Sequence, residues 1–180
     1  MQGITGVLTL SRPLTDDEYY YLGALAINKR MRRKRPLVQM MIDQGELDDP
    51  HRNEVNLPLG MDGCFFVGNK GEHFDEFDAS VFNKEAPPRG CPGSWVSWVP
   101  NPNNRSQMIL SGKKEQHAGR WAKFLVTKLL SKHWGISANG VVTYSQVNKG
   151  LINTQLTIIK GSTVIITGER KRVTPADQFR

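Results

Sequence analysis

The stretch that most constrains this chain runs over 112–144, where a Lys-rich entry leads into an amphipathic helix, a stop at Gly135 and then a strand. At about 100° per residue, Ala118, Trp121, Ala122, Leu125, Val126, Leu129 and Leu130 share one half of the helix circumference. A stripe that wide has to be buried, which predicts a helix over 113–133 followed by a strand over 140–144, the second half of a compact α+β unit. The other half carries Arg120, Lys123, Thr127, Lys128 and Ser131, with Phe124 and Trp134 among them. Aromatic rings amid cations on an outward face mark a binding surface, so Phe124 and Trp134 are candidate interface residues.

The segments before it complete the pattern. Residues 4–10 alternate and are rich in β-branched side chains, which predicts a first strand ended by Arg12-Pro13. Thr15-Asp-Asp-Glu18 fits a capping box, with early carboxylates suited to the helix dipole, so a helix starts there. It is apolar over 19–27, and its last turns hold 29–35, where six of seven residues are basic. On helical geometry those cations spread nearly all round the axis, so this end is expected to project into water or onto an anion, with no face buried. Residues 94–99 and 107–110 read as a hairpin around a wide polar turn. Strand, helix, hairpin, helix, strand is the order of a ferredoxin-like split βαβ sandwich, with two helices on one face of an antiparallel sheet.

Two additions are expected on that frame. Residues 36–93 form a large irregular insertion, with a short helix over 37–42 closed by Gly45, a hairpin at Asp62-Gly63 leading into 64–67, and a turn-rich segment over 86–93. Phe65, Phe66, Val67, Phe74, Phe77 and Val81 are expected to pack it down, because a structureless run of that length is rare in a compact domain. A C-terminal β-hairpin within 151–167, its strands at 156–159 and 164–166, extends the sheet or pairs with another subunit through an exposed edge. The chain reads as one domain over 1–168 with a flexible polar tail over 169–180.

A formal charge of +7 favours anionic partners, although the excess is uneven: 29–35 is basic, whereas the acidic residues between Asp43 and Asp78 offer an internal counterweight. No apolar run reaches the roughly 20 residues of a membrane-spanning helix, and the N-terminus lacks the pattern of a signal peptide, which predicts a cytoplasmic protein without membrane contact. Two cysteines, Cys64 and Cys91, are too few for a disulfide framework and read as reduced structural thiols.

Catalytic patterns are weak. Residues 63–70 approach a phosphate-binding loop, but Asn69 separates Gly68 from Lys70, and Gly71 stands where a hydroxyl would hold magnesium. His51, His73, His117 and His133 have no metal or phosphoesterase spacing, and only His73 with Asp75, Glu76 and Asp78 clusters enough oxygen and nitrogen for a cation. No catalytic residue, metal or cofactor is therefore expected, with a carboxylate-based enzyme drawing on Asp62 and the acidic residues from Asp75 to Asp78 as the remaining alternative. Trp95, Trp98 and Tyr144 fall on expected strands, where they serve the core or stack bases.

Residues 6–15, Leu57-Pro-Leu-Gly60, 62–68, 87–95 with Trp98, and 135–140 together resemble a family of small uncharacterised proteins from tailed bacteriophages and prophages. The resemblance spans most of 3–145 and implies a viral accessory gene acting in the host cytoplasm, of the sort that neutralises a host defence. No activity comes with it. Joined to the charge pattern, it leads to a non-catalytic protein that binds nucleic acid or a nucleotide second messenger. Lys29, Arg30, Arg32, Arg33 and Arg35 would contact phosphate, extended by Arg120 and Lys123. The alternative is a protein–protein inhibitor or self-assembling module, in which Phe124, Trp134 and the C-terminal hairpin form the interface to an acidic host protein or a homo-oligomer.

Overall fold

A computed structural model of the chain describes residues 2–45, 54–55, 57, 79–111, 117–148 and 151–172. Its spine is β1 (Gln2–Leu10), which pairs along its whole length with β6 (Ala138–Asn148) and, on its other side, with β5 (Asn104–Leu110). With β4 (Trp98–Asn101), β7 (Leu151–Gly161) and β8 (Thr163–Arg172) these form a six-stranded sheet in the order β4-β5-β1-β6-β7-β8, every neighbouring pair antiparallel. Three helices, among the described residues, complete an α+β fold. The alternation in β1 sets its sidedness: Leu8 and Leu10 are buried, and Thr5, Val7 and Thr9 are exposed. No helix among the described residues is long and apolar enough to cross a membrane.

Helix α1 (Asp16–Ile27) starts on the capping box its sequence announces: Thr15 accepts from the Glu18 amide, and Glu18 accepts from the Thr15 amide at 2.9 Å. Its far end differs from expectation. The helix stops at Asn28, seven residues before Arg35, and the basic run leaves it. Asn28 turns its side-chain amide back onto Ala24 O at 2.7 Å, and the Arg30 guanidinium donates to the carbonyls of Leu25 and Asn28. Carbonyls left open at the helix end thus find side-chain donors, and continuing the helix would remove them. Beyond it, β2 (Arg32–Arg33) pairs with β3 (Val81–Asn83), and α2 (Arg35–Asp43) begins with Pro36 in its first turn. The expected short helix closed by Gly45 is this α2; Gly45 follows it at φ 74°.

The long helix α3 (118–134) is not a uniform α-helix. It comprises α-helical Ala118–Phe124, π-helical Leu125–Leu130 and α-helical Ser131–Trp134, and it ends as expected at Gly135, whose φ of 64° needs a residue without Cβ. Trp121, Ala122, Leu125, Val126, Leu129 and Leu130 are fully buried with Leu8, Tyr21, Leu22, Trp98 and Met108. Phe124 and Trp134 correct the expectation of an outward aromatic surface, because both are half-buried against this core. Phe124 meets Trp121 edge-on at 5.4 Å, and Trp134 meets Tyr21 edge-on at 5.9 Å. A π turn adds a residue to the ladder and sets later side chains back by about 100°, which brings Trp134 round to α1.

The hairpins differ from expectation in length. The turn between β4 and β5 is tight: Asn101 pairs with Asn104, and the amides of Asn103 and Ser106 are each held at 3.0 Å by the side chain of the asparagine two residues earlier. Trp95 and Val96 are buried ahead of β4, and Trp98 is fully buried with its indole N–H on Ala118 O at 2.9 Å. The C-terminal hairpin extends the sheet, starts at Leu151 and runs to Arg172, so Glu169–Arg172 belong to β8 and not to the expected tail. Cys64, the 63–70 loop, the His73–Asp78 cluster and the phenylalanines at 65, 66, 74 and 77 lie outside the described residues.

Candidate anion-binding site

The basic run separates once α1 has ended. Arg30 is 0% exposed, with its guanidinium 6.0 Å from the centre of the Trp121 ring, and its Nε has no partner among the described residues. Arg32 is half-buried and donates to Pro87 O at 3.0 Å; Arg33 is 8% exposed and donates to Ser80 Oγ at 2.8 Å. Lys34 and Arg35 are exposed at the start of α2. The expectation that no face of this segment is buried therefore fails at Arg30, Met31 and Arg33, because an extended path with side-chain-to-carbonyl bonds hides residues that a helix would have exposed. Arg30 caps carbonyls, so it holds the fold and offers no surface contact.

What the structure gathers instead is a set of groups around the start of α3. Gly119 makes this possible. A Cβ there would collide with Thr157 Oγ1 and come within 3.2 Å of Gln155, so only glycine lets α3 descend onto β7. His117, just ahead of the helix, consequently lines two adjoining hollows. The first, of about 460 Å³, lies between α3 and the β7–β8 hairpin and is bounded by Arg120, Tyr144, Asn153, Gln155 and Arg170. The second, of about 540 Å³, has Lys29, Gly93, Ser94 and Trp95 in its wall.

The electrostatics favour a negative guest. Arg120, Arg170 and Lys29 face the two hollows, opposed by Glu169 and Glu85. Glu169 is already held by Lys171 at 3.2 Å, and Arg170 is oriented by Asn153 at 2.8 Å. The His117 ring titrates below its usual range, first because it is partly buried and then because Arg120 repels a second positive charge. Trp121 Nε1, fully buried, has no acceptor among the described residues and lies 3.7 Å from where a Cβ on Gly93 would sit, beside the second hollow. Three cations thus line the two hollows against two carboxylates.

Of the residues singled out from sequence, Lys29 and Arg120 come together on either side of His117, with Lys123 exposed one turn further along α3. Arg32, Arg33 and Arg35 belong to the small β2–β3 sheet and α2 and line neither hollow. Sequence reasoning missed His117, Asn153, Gln155 and Arg170. The signal for the two amides was present: Asn153, Gln155 and Thr157 alternate on one face of β7. Of the aromatic candidates, Trp98 serves the core, whereas Trp95 and Tyr144 border the hollows. Among the described residues no group of three or more His, Cys, Asp or Glu side chains is placed to hold a metal ion. No protein-family model, curated protein or solved structure matches the chain.

Proposed function

We propose that this chain is a non-catalytic binding protein for a phosphate-bearing small molecule, a nucleotide in preference to a nucleic acid duplex, held in the two hollows that meet at His117. The observation that carries this reading is the placement of Lys29 on one side of His117 and of Arg120 and Arg170 on the other. Arginine offers a planar fork to phosphate oxygens, and Trp95 and Tyr144 supply a ring beside each set of cations. Hollows of this size suit one or two nucleosides, whereas a duplex needs a long basic surface. The strand order β4-β5-β1-β6, with α1 and α3 packed on one face, supports a ferredoxin-like split βαβ sandwich extended by β7 and β8. The phage resemblance supports a counter-defence role in the host cytoplasm, with sequestration of a signalling nucleotide as its simplest form.

Calorimetric titration with mononucleotides, cyclic dinucleotides and a single-stranded oligonucleotide tests the reading. The expected result is saturable binding of a nucleotide, lost in Arg120→Glu and Lys29→Glu and retained in Arg35→Glu. Tight binding of the oligonucleotide alone, falling steeply with salt, would replace the nucleotide by nucleic acid. Binding of neither, or binding indifferent to Arg120 and Lys29, rejects the site.

A further inference from the structure

Helices α1 and α3 cover one face of the six-stranded sheet, and the opposite face carries a continuous apolar row. Leu8, Met108, Val142 and Ile159 are at most 3% exposed under the helices, so strand residues of the other parity point away from them. Cross-strand register then aligns Val99, Ile109, Val7, Val141, Ile158 and Ile165, one from each strand, in a single line perpendicular to the strands. Val7, Val141, Ile158 and Ile165 are 43%, 53%, 40% and 53% exposed, half of the eight large hydrophobic residues that the described surface leaves open. The flanking rows hold threonines at 5, 9, 143, 163 and 167 with Gln107, Asn139 and Leu156, and only Lys160 is charged. On a chain with a formal charge of +7, a plate this poor in charge is a departure from the rest of the surface.

We infer that this face is the interface of a homodimer, in which two copies pack sheet against sheet about a two-fold axis near Val7 and Val141. Three observations select a second copy as the occupant. The row is self-complementary: a two-fold axis running along it between the facing sheets lays Val7, Val141, Ile109 and Ile158 each on its own equivalent, the isologous arrangement of a C2 pair. Its charge suits a copy of itself, because two chains of like net charge repel elsewhere and meet least repulsion where neither has charges. The area suffices. Six strands about 4.8 Å apart and three rows about 7 Å apart span roughly 600 Å² on each copy, or about 1,200 Å² in all, at the lower bound of a specific interface. Edge pairing through β8 is the weaker route, because Arg170, Lys171 and Arg172 set three consecutive cations on that edge.

Sedimentation equilibrium over a hundredfold concentration range tests this. The wild-type chain is expected to dimerise, more tightly as salt rises, because screening relieves the repulsion between copies; anion binding has the opposite salt dependence, so the two proposals fail separately. Val141→Lys and Val141→Glu are each expected to weaken the dimer at least tenfold. Their equimolar mixture is expected to recover it, because the two side chains then meet as opposite charges across the axis. Val141 is exposed enough for both variants to fold, which circular dichroism verifies. Should a variant fail to fold, hydrogen exchange of the wild-type chain decides in its place: protection at Val7 and Val141 rises with concentration if the face is the interface and stays constant if it is not. A monomer at every concentration, or a dimer indifferent to both substitutions, overturns the inference.

Discussion

Arg12 holds the Glu18 carboxylate through both terminal guanidinium nitrogens, at 2.8 and 2.7 Å, and donates also to Trp134 O at 3.2 Å. One side chain thereby joins the start of α1 to the end of α3, the two helices that cover the sheet. Burial alone would raise the Glu18 carboxyl, but the hydrogen bonds from Arg12 and Thr15 outweigh it and the net direction is down. A carboxyl lowered in the folded state adds stability that is complete above its unfolded pKa and is lost as pH falls through the folded value. Glu18→Gln is expected to cost about 1–2 kcal/mol at neutral pH and to flatten the acid limb of a Tm-against-pH curve. An unchanged acid limb would show that the clamp contributes nothing to folding.

Gly119 is the second point at which α3 is positioned. Replacing a helical glycine with alanine ordinarily gains up to about 1 kcal/mol from helix propensity. Here the new Cβ meets Thr157 Oγ1, and Thr157 is 1% exposed with little room to yield. Gly119→Ala is therefore expected to destabilise by about 1–3 kcal/mol. Thr157→Ala in the same chain should recover part of the loss, so a double-mutant cycle by chemical denaturation is the measurement. Additive effects would place the strain elsewhere.

Arg30 separates fold from surface within the basic run. Arg30→Met leaves the carbonyls of Leu25 and Asn28 without their donor in a fully buried setting, at an expected cost of about 2–3 kcal/mol. Lysine should not restore it, because one ammonium cannot reach both carbonyls as the guanidinium fork does. Arg35→Ala, at an exposed position, should leave the unfolding midpoint where it was. Equal effects at the two positions would mean that burial of Arg30 is not what makes it matter.

Local signals were legible where local interactions decide. The Thr15–Glu18 box, the buried stripe from Ala118 to Leu130 and the Gly135 stop each depend on residues within a few positions of one another. The end of α1 was not legible, because lysine, arginine and methionine favour helix and what stops it is Arg30 folding back from outside. Trp134 was misdirected because a wheel drawn at a constant angle does not anticipate π turns. The candidate site was half visible. Lys29 and Arg120 stood out as cations, but His117 gains its setting from the descent of α3 onto β7, and the apolar row exists only in cross-strand register.

His117 ties the candidate site to pH. Its ring is lowered by burial and by Arg120, and both hollows bear on it: Arg120, Arg170, Glu169 and Tyr144 on one side, Lys29 and Glu85 on the other. Without ligand, the sign is that of any group lowered on folding: its contribution to stability is complete above the usual histidine range and is lost as pH falls through the folded value. An anion beside the ring reverses the local balance, because it favours the imidazolium that Arg120 opposes. Binding then takes up a proton, and affinity rises as pH falls from the ligand-raised pKa to the lowered one and levels off below it, on the order of tenfold for each unit by which the ligand raises that pKa. A cyclic dinucleotide is the suitable probe, since its phosphodiesters keep their charge across this range and the trend belongs to the protein. His117→Asn should bind with a flat pH profile while Arg120 and Lys29 still supply charge. A wild-type profile that is already flat would move the anion away from His117.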